Sequence, residues 1–128
     1  MAKGIEIRQA HFPGRAPIDA YGNGGFRFAD MSHRGSILCL PSGIHGWNAV
    51  EGDVLDVAAF EKVLAETAEI EFLLVGTGSE IRLLPQPVRD AFKARSVSID
   101  PMSTGAAVRT FNVMLAESRA VAAALIAV

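Results

Sequence analysis

Two short segments carry the residues whose types and spacing suit ligand chemistry. Phe72-Leu73-Leu74-Val75 is an apolar run that ends in Gly76-Thr77-Gly78, and Ser103 and Thr104 open a later segment that carries Arg109 and Asn112. In open α/β sheets ligands bind beyond the carboxyl ends of strands, where glycines let the backbone approach an anion. A helix start adds free N–H groups and the positive end of a dipole. The chemistry would be capture of an anionic metabolite between Gly76, Thr77 and Gly78 and the helix start, with Ser103, Thr104, Arg109 and Asn112 lining the cleft. Each residue also has a structural role to fill: glycines for a tight turn, Ser and Thr for capping, and Arg109 for pairing with Asp100 or Glu117. The nucleotide fingerprints are incomplete. Position 81 is Ile81 where a third glycine belongs, and no Gly-Lys-Ser/Thr follows.

Metal and nucleophile chemistry find less support. His33, Cys39 and His45 recur at intervals of six residues. Along a strand that is about 20 Å, too wide for a single ion. Cys39 lies in an apolar run and acts there as a small hydrophobe. His11 stands in a Pro/Gly loop. Glu66, Glu69 and Glu71 read as a solvated acidic patch. Trp47, beside Gly46 in a loop-like stretch, is either a core lid or a partner-facing anchor, since aromatic residues are enriched at interfaces. No catalytic residue, metal or cofactor is expected, and the balance leans away from an enzyme.

The elements that must position these residues change character along the chain. The first third is β: Ile5 and Ile7 alternate with charged residues, and Gly22-Asn23-Gly24-Gly25 marks a turn. Phe26 and Phe28 then form the second arm of a hairpin. Gly35 to Leu40 is a continuous apolar run that suits a strand covered on both faces, and Pro41 ends it. From a cap at Asp56, the residues Val57, Phe60, Val63 and Leu64 share a helical face. Phe72–Val75 is a strand, Pro87 sits at a helix start, Val97-Ser98-Ile99 is a strand, and a third helix opens near Ser103 or Thr104. Strands alternating with helices predict an α/β fold: a central, mixed, mostly parallel sheet with helices packed on it and an added N-terminal β-hairpin.

With 128 residues, 50% of them hydrophobic and 20% charged, the chain is one globular domain spanning 1–128. A net charge of −2 supplies no basic stripe for nucleic acid. The single cysteine excludes an intrachain disulfide framework, and no export signal or membrane span is evident. The expected location is the cytoplasm.

Leu74-Val75-Gly76-Thr77-Gly78, the Pro41…Trp47 stretch and the run from Met102 through Thr104, Ala106-Ala107, Arg109-Thr110-Phe111-Asn112, Leu115, Glu117, Arg119 and Val121-Ala122 carry a resemblance. They resemble a family of small domains of unknown function (the Mth-type domain). It is found in bacteria and archaea, and in mitochondria it includes an assembly factor for respiratory complex I. The resemblance implies a three-layer α/β fold in which the segment after Glu-x-Arg returns as a strand. Alanine-rich Val121–Ile126 favours helix by local propensity, but the family topology makes it a strand. Family members usually carry glycine in the middle of Glu-x-Arg, where this chain has Ser118.

The resemblance also implies a non-catalytic protein-binding or assembly module for respiratory or membrane complexes. Such a module has a protein partner, touches membranes only through that partner, and is compatible with self-association. The alternative is a small-molecule binder or enzyme that uses the anion cleft above. Arg109, on an otherwise apolar helix, is expected to be buried and bonded to strand-end carbonyls or a carboxylate.

Overall fold

The structure, a computed structural model, describes residues 12–128; the expected strand at Ile5 and Ile7 and the loop residue His11 lie outside them. One sheet holds five strands: β4 (Ser36–Leu40), β5 (Gly43–Trp47), β6 (Phe72–Gly76), β7 (Ser98–Met102) and β8 (Val121–Leu125), in the order β5-β4-β8-β6-β7. A second sheet holds β1 (Ala20–Gly22), β2 (Gly25–Phe28) and β3 (Met31–Arg34). Three helices follow the expected pattern: α1 (Glu61–Leu64), entered through a 3-10 turn at Val57–Phe60, α2 (Gln86–Lys93) and α3 (Thr104–Ala116).

The five-stranded sheet is mixed. It is parallel across β8, β6 and β7, and antiparallel across β5, β4 and β8. Its second antiparallel strand is β5, which the Pro41, Gly43 and Gly46 composition disguises as a loop. Cross-strand pairing with β4, from Ser36↔Trp47 to Leu40↔Gly43, overrides that weak local propensity. Strand β3 is hidden for a related reason. The turn before it places Ala29 and Asp30 at φ 48° and 61°, a hairpin geometry normally signalled by Asn-Gly.

Alternating residues send two cores to opposite faces of the sheet. Leu38, Leu73, Val75, Ala122 and Ala124 meet Phe60, Val63, Val88 and Phe92 on the side of α1 and α2. Ile37, Cys39, Leu74, Ala123 and Leu125 meet Ala107, Val108 and Phe111 of α3, with Phe26 and Phe28 from the small sheet. The small sheet therefore shares a layer with α3. Strand β8 is buried throughout, and its alanines leave room for a helix or aromatic layer on each face. Burial between β4 and β6 is what converts an alanine run with helical propensity into a strand, as the family topology required.

Two helices end in the same way. Arg119 N–H donates to Met114 O at 3.0 Å and Ser118 N–H to Leu115 O at 2.9 Å, with Ser118 at φ 60°. Val97 N–H donates to Phe92 O and Ser96 N–H to Lys93 O, both at 3.0 Å, with Ser96 also at φ 60°. This is the Schellman termination, whose left-handed position favours glycine. The sharp turn forms with serine in place of glycine, and serine carries the steric penalty of that conformation. We expect Ser96→Gly and Ser118→Gly each to raise unfolding free energy by about 0.5–1 kcal/mol, after offsetting the extra unfolded-state entropy of glycine. Urea denaturation measures this, and a loss of stability in both variants would show that neither turn is strained.

Candidate functional site

The structure brings the strand-end glycines and the helix start together, and it fills the space between them with the chain itself. Ser103 caps α3, accepting from Ala106 N–H at 3.3 Å. Thr104, fully buried, donates its hydroxyl to Ile126 O at 2.7 Å and accepts from Gly78 N–H at 3.1 Å. Its own N–H donates to Gly78 O at 2.8 Å. Thr77 N–H donates to Met102 O at 2.9 Å, and the Thr77 hydroxyl accepts from Arg82 N–H at 2.9 Å. The Thr104 and Thr77 N–H groups are thus committed to backbone carbonyls, and those of Gly78 and Ala106 to the Thr104 and Ser103 hydroxyls. Gly76 has a packing purpose: a Cβ there would lie 2.9 Å from Thr104 Cα, so only glycine lets α3 begin against the strand end.

An anion does meet the glycine turn, and it belongs to the protein. The Glu51 carboxylate accepts from Ser79 N–H at 2.6 Å. It lies against Gly78, where φ is +121° and a side chain would collide with the carboxylate. The loop before α1 is thereby clamped onto the loop after β6.

The other candidates separate. Asn112 accepts from Ile18 N–H at 2.8 Å and donates to Ile18 O at 2.9 Å, a two-point grip on the segment entering β1. Arg109 is exposed, which corrects the expectation of a buried guanidinium. Alanine, valine and methionine occur all round α3 and mask its polarity. The buried face runs through Thr104, Ala107, Val108 and Phe111, and position 109 falls outside it. Arg109 pairs with neither Asp100 nor Glu117; among the described residues the ion pair is Arg119 with Glu117 at 3.8 Å.

Trp47 is a core residue at 8% exposure, tilted at 50° against the Phe60 ring and donating its indole N–H to Ala59 O at 2.9 Å. Most of its surface is therefore core, and the remainder lines a cleft. Glu66 is also more than a solvated carboxylate, since it accepts from Ser42 N–H at 2.9 Å and from the Ser42 hydroxyl at 2.6 Å. Cys39 is buried, and desolvation pushes its thiol well above the usual range. Cys39 pairs across from Ile44, so His45, one residue on, points to the other face of the sheet. No group of three metal-ligating side chains occurs among the described residues.

Sequence reasoning missed the most exposed apolar groups. Val50 (60% exposed), Val54 (81%), Ile81 (59%) and Leu83 (89%) lie on the two loops joined by Glu51. Between those loops runs a groove of about 140 Å³ lined by Val50, Val54, Leu83, Leu84, Asp53 and Arg82. The available signal was large aliphatic residues inside loops otherwise built of small, polar and charged residues and Pro85. A wider cleft of about 530 Å³ lies elsewhere, walled by His33, Arg34, Trp47, Asn48, Glu61 and Lys62.

These geometries separate structural from dispensable residues. Thr104→Val would strand a buried carbonyl and a buried N–H, a loss of about 2–4 kcal/mol by denaturant unfolding. Arg109→Ala should stay within about 0.5 kcal/mol of wild type, as surface changes do. A reversed ranking of the two would refute the assignment.

Comparison with known proteins gives the same outline. An uncharacterised protein of Rhodobacter capsulatus is 38% identical over 119 residues, covering 93% of this chain and 90% of the relative. The mouse NADH dehydrogenase [ubiquinone] 1 alpha subcomplex assembly factor 3 is 30% identical over 122 residues, which is 95% of this chain and 66% of that protein. A crystal structure of an outer membrane protein from Bartonella henselae superposes with a TM-score of 0.88 at 62% identity, covering 91% of this chain and 98% of that one. No helix among the described residues is long and apolar enough to cross a membrane. A family model described as a protein of unknown function (DUF498/DUF598) matches residues 18–126, and the chain belongs to that family.

Proposed function

We propose that this protein is a non-catalytic binding module that assists assembly of respiratory or membrane complexes. In this role it works from the cytoplasm and reaches membranes through its partners. The observation that carries the proposal is the set of four exposed aliphatic side chains, Val50, Val54, Ile81 and Leu83, on two clamped loops. Apolar groups gathered on a soluble surface mark interaction sites. Support also comes from the mouse relative, itself an assembly factor for a complex I subcomplex. The bonds that fill the junction at Gly78 and Thr104 weigh against the main competing site.

A photo-crosslinking residue placed at Leu83 or Val54 in the native cell tests this directly. Val113, 58% exposed on α3 and so on the other side of the sheet, is the control position. Respiratory or membrane-complex subunits should be captured from positions 83 and 54 and not from 113. Equal capture at all three positions, or none at any, would defeat the proposal.

A second reading rests on the 530 Å³ cleft, which falls in the size range of small-molecule sites and carries Arg34 and Lys62 against Glu61. An anionic metabolite is the ligand class it suits. A saturating ligand, at a hundred times its dissociation constant, should add about 2.7 kcal/mol of stability. Thermal shifts across phosphorylated and carboxylated metabolites measure this, and a flat response retires the cleft.

A further inference from the structure

The groove on the clamped loops has a chemical character that narrows its partner. At about 140 Å³ it is smaller than the roughly 300–1,000 Å³ of drug-sized ligand sites, so it suits one or two anchoring side chains rather than a metabolite. The aliphatic walls of Val50, Val54 and Leu83 set the apolar part of the match. Charge sets the rest. Residues 48–57 and 77–85 carry Glu51, Asp53, Asp56 and Glu80 against Arg82 alone, a net of −3 where the whole chain is −2. All five of these side chains are exposed.

We infer that this surface takes a basic amphipathic segment of a partner protein, with aliphatic side chains in the groove and Lys or Arg along the acidic rim. The inference rests on the protein-binding proposal above and gives its partner a chemistry. Complementary potentials select partners and speed encounter, and like charges across an interface are costly. A second copy of this chain docking through the same patch would bring one acidic rim against another. An anionic lipid surface attracts basic segments and would repel this one. A positively charged apolar segment satisfies both features of the surface.

The test uses two fluorescent peptides of about 18 residues that share one leucine face. One carries lysine at its remaining positions and the other carries glutamate. Fluorescence anisotropy with the full chain should show the lysine peptide binding at least about tenfold tighter at low salt, with the gap closing as ionic strength rises. Val54→Ser with Leu83→Ser should weaken it about thirtyfold, the loss expected of two anchors. Asp53→Asn, which keeps an oxygen to accept from Val50 N–H, combined with Glu80→Gln should leave leucine-driven binding but erase most of the preference for lysine. Equal affinity for the two peptides, or a lysine peptide indifferent to both double variants, overturns the inference. So does binding to phosphatidylglycerol vesicles, or a concentration-dependent dimer that Leu83→Ser dissolves. Loss of the lysine preference while crosslinking at position 83 persists would remove the basic partner and leave the binding surface standing.

Discussion

The arrangement depends on one constraint, the complete burial of β8 in the middle of the sheet. A strand with β4 on one side, β6 on the other and a packed layer on each face must be small-sided and apolar. Val121-Ala122-Ala123-Ala124-Leu125 meets both conditions. Its two directions of pairing, antiparallel to β4 and parallel to β6, make the sheet mixed. The small side chains also decide how closely α3 approaches, because Ala107 and Ala123 belong to the same core. A larger residue at Ala123 would have to displace a helix or a strand, and a packed interior resists either movement.

The junction at the sheet's carboxyl end follows from that placement. Once β8 and β6 lie side by side, their ends present carbonyls that need donors. Thr104 meets Ile126 and Gly78 together, with a hydroxyl that both donates and accepts. A helix start in this position usually offers free N–H groups, as it does in anion-binding folds. Here the turn after β6 takes the Thr104 N–H, the Ser103 hydroxyl takes that of Ala106, and Glu51 supplies the negative charge beside Gly78. The same residue types that build a ligand site in one context close a structural joint in this one.

This explains why the fold was more legible than the site. Continuous apolar runs at residues 35–40 and 72–75 marked both neighbours of β8, the cap at Asp56 stands where its side chain predicted, and of the two residues expected to open α3, Ser103 is the cap. Strand β5 was obscured because Gly43 and Gly46 carry no strand signal and its pairing partner supplies the stability. Arg109 was misplaced because the even hydrophobicity of α3 hides which face is buried. The groove was invisible to periodicity. Val50, Val54, Ile81 and Leu83 belong to no helix or strand, and the two loops are brought together by bonds from Ser79 to Glu51 and by the shared core of Leu55 and Leu84.

The exposed aliphatic loops are best understood through what holds them. Large apolar side chains on mobile loops would lower their own exposure by collapsing onto the nearest surface, a cheap move for an unrestrained segment. Three bonds oppose that collapse. Asp53 accepts from Val50 N–H at 2.9 Å, Glu51 from Ser79 N–H at 2.6 Å, and Thr77 from Arg82 N–H at 2.9 Å. Leu55 and Leu84 add buried anchors beneath, at 8% and 4% exposure. Val54 and Leu83 are therefore held outward by the residues beside them, and the ordering cost of presenting them falls on folding rather than on binding. A surface prepared in this way favours docking of another chain over adaptation to many small ligands. It also gives the acidic side chains beside it a fixed pattern for that partner to match.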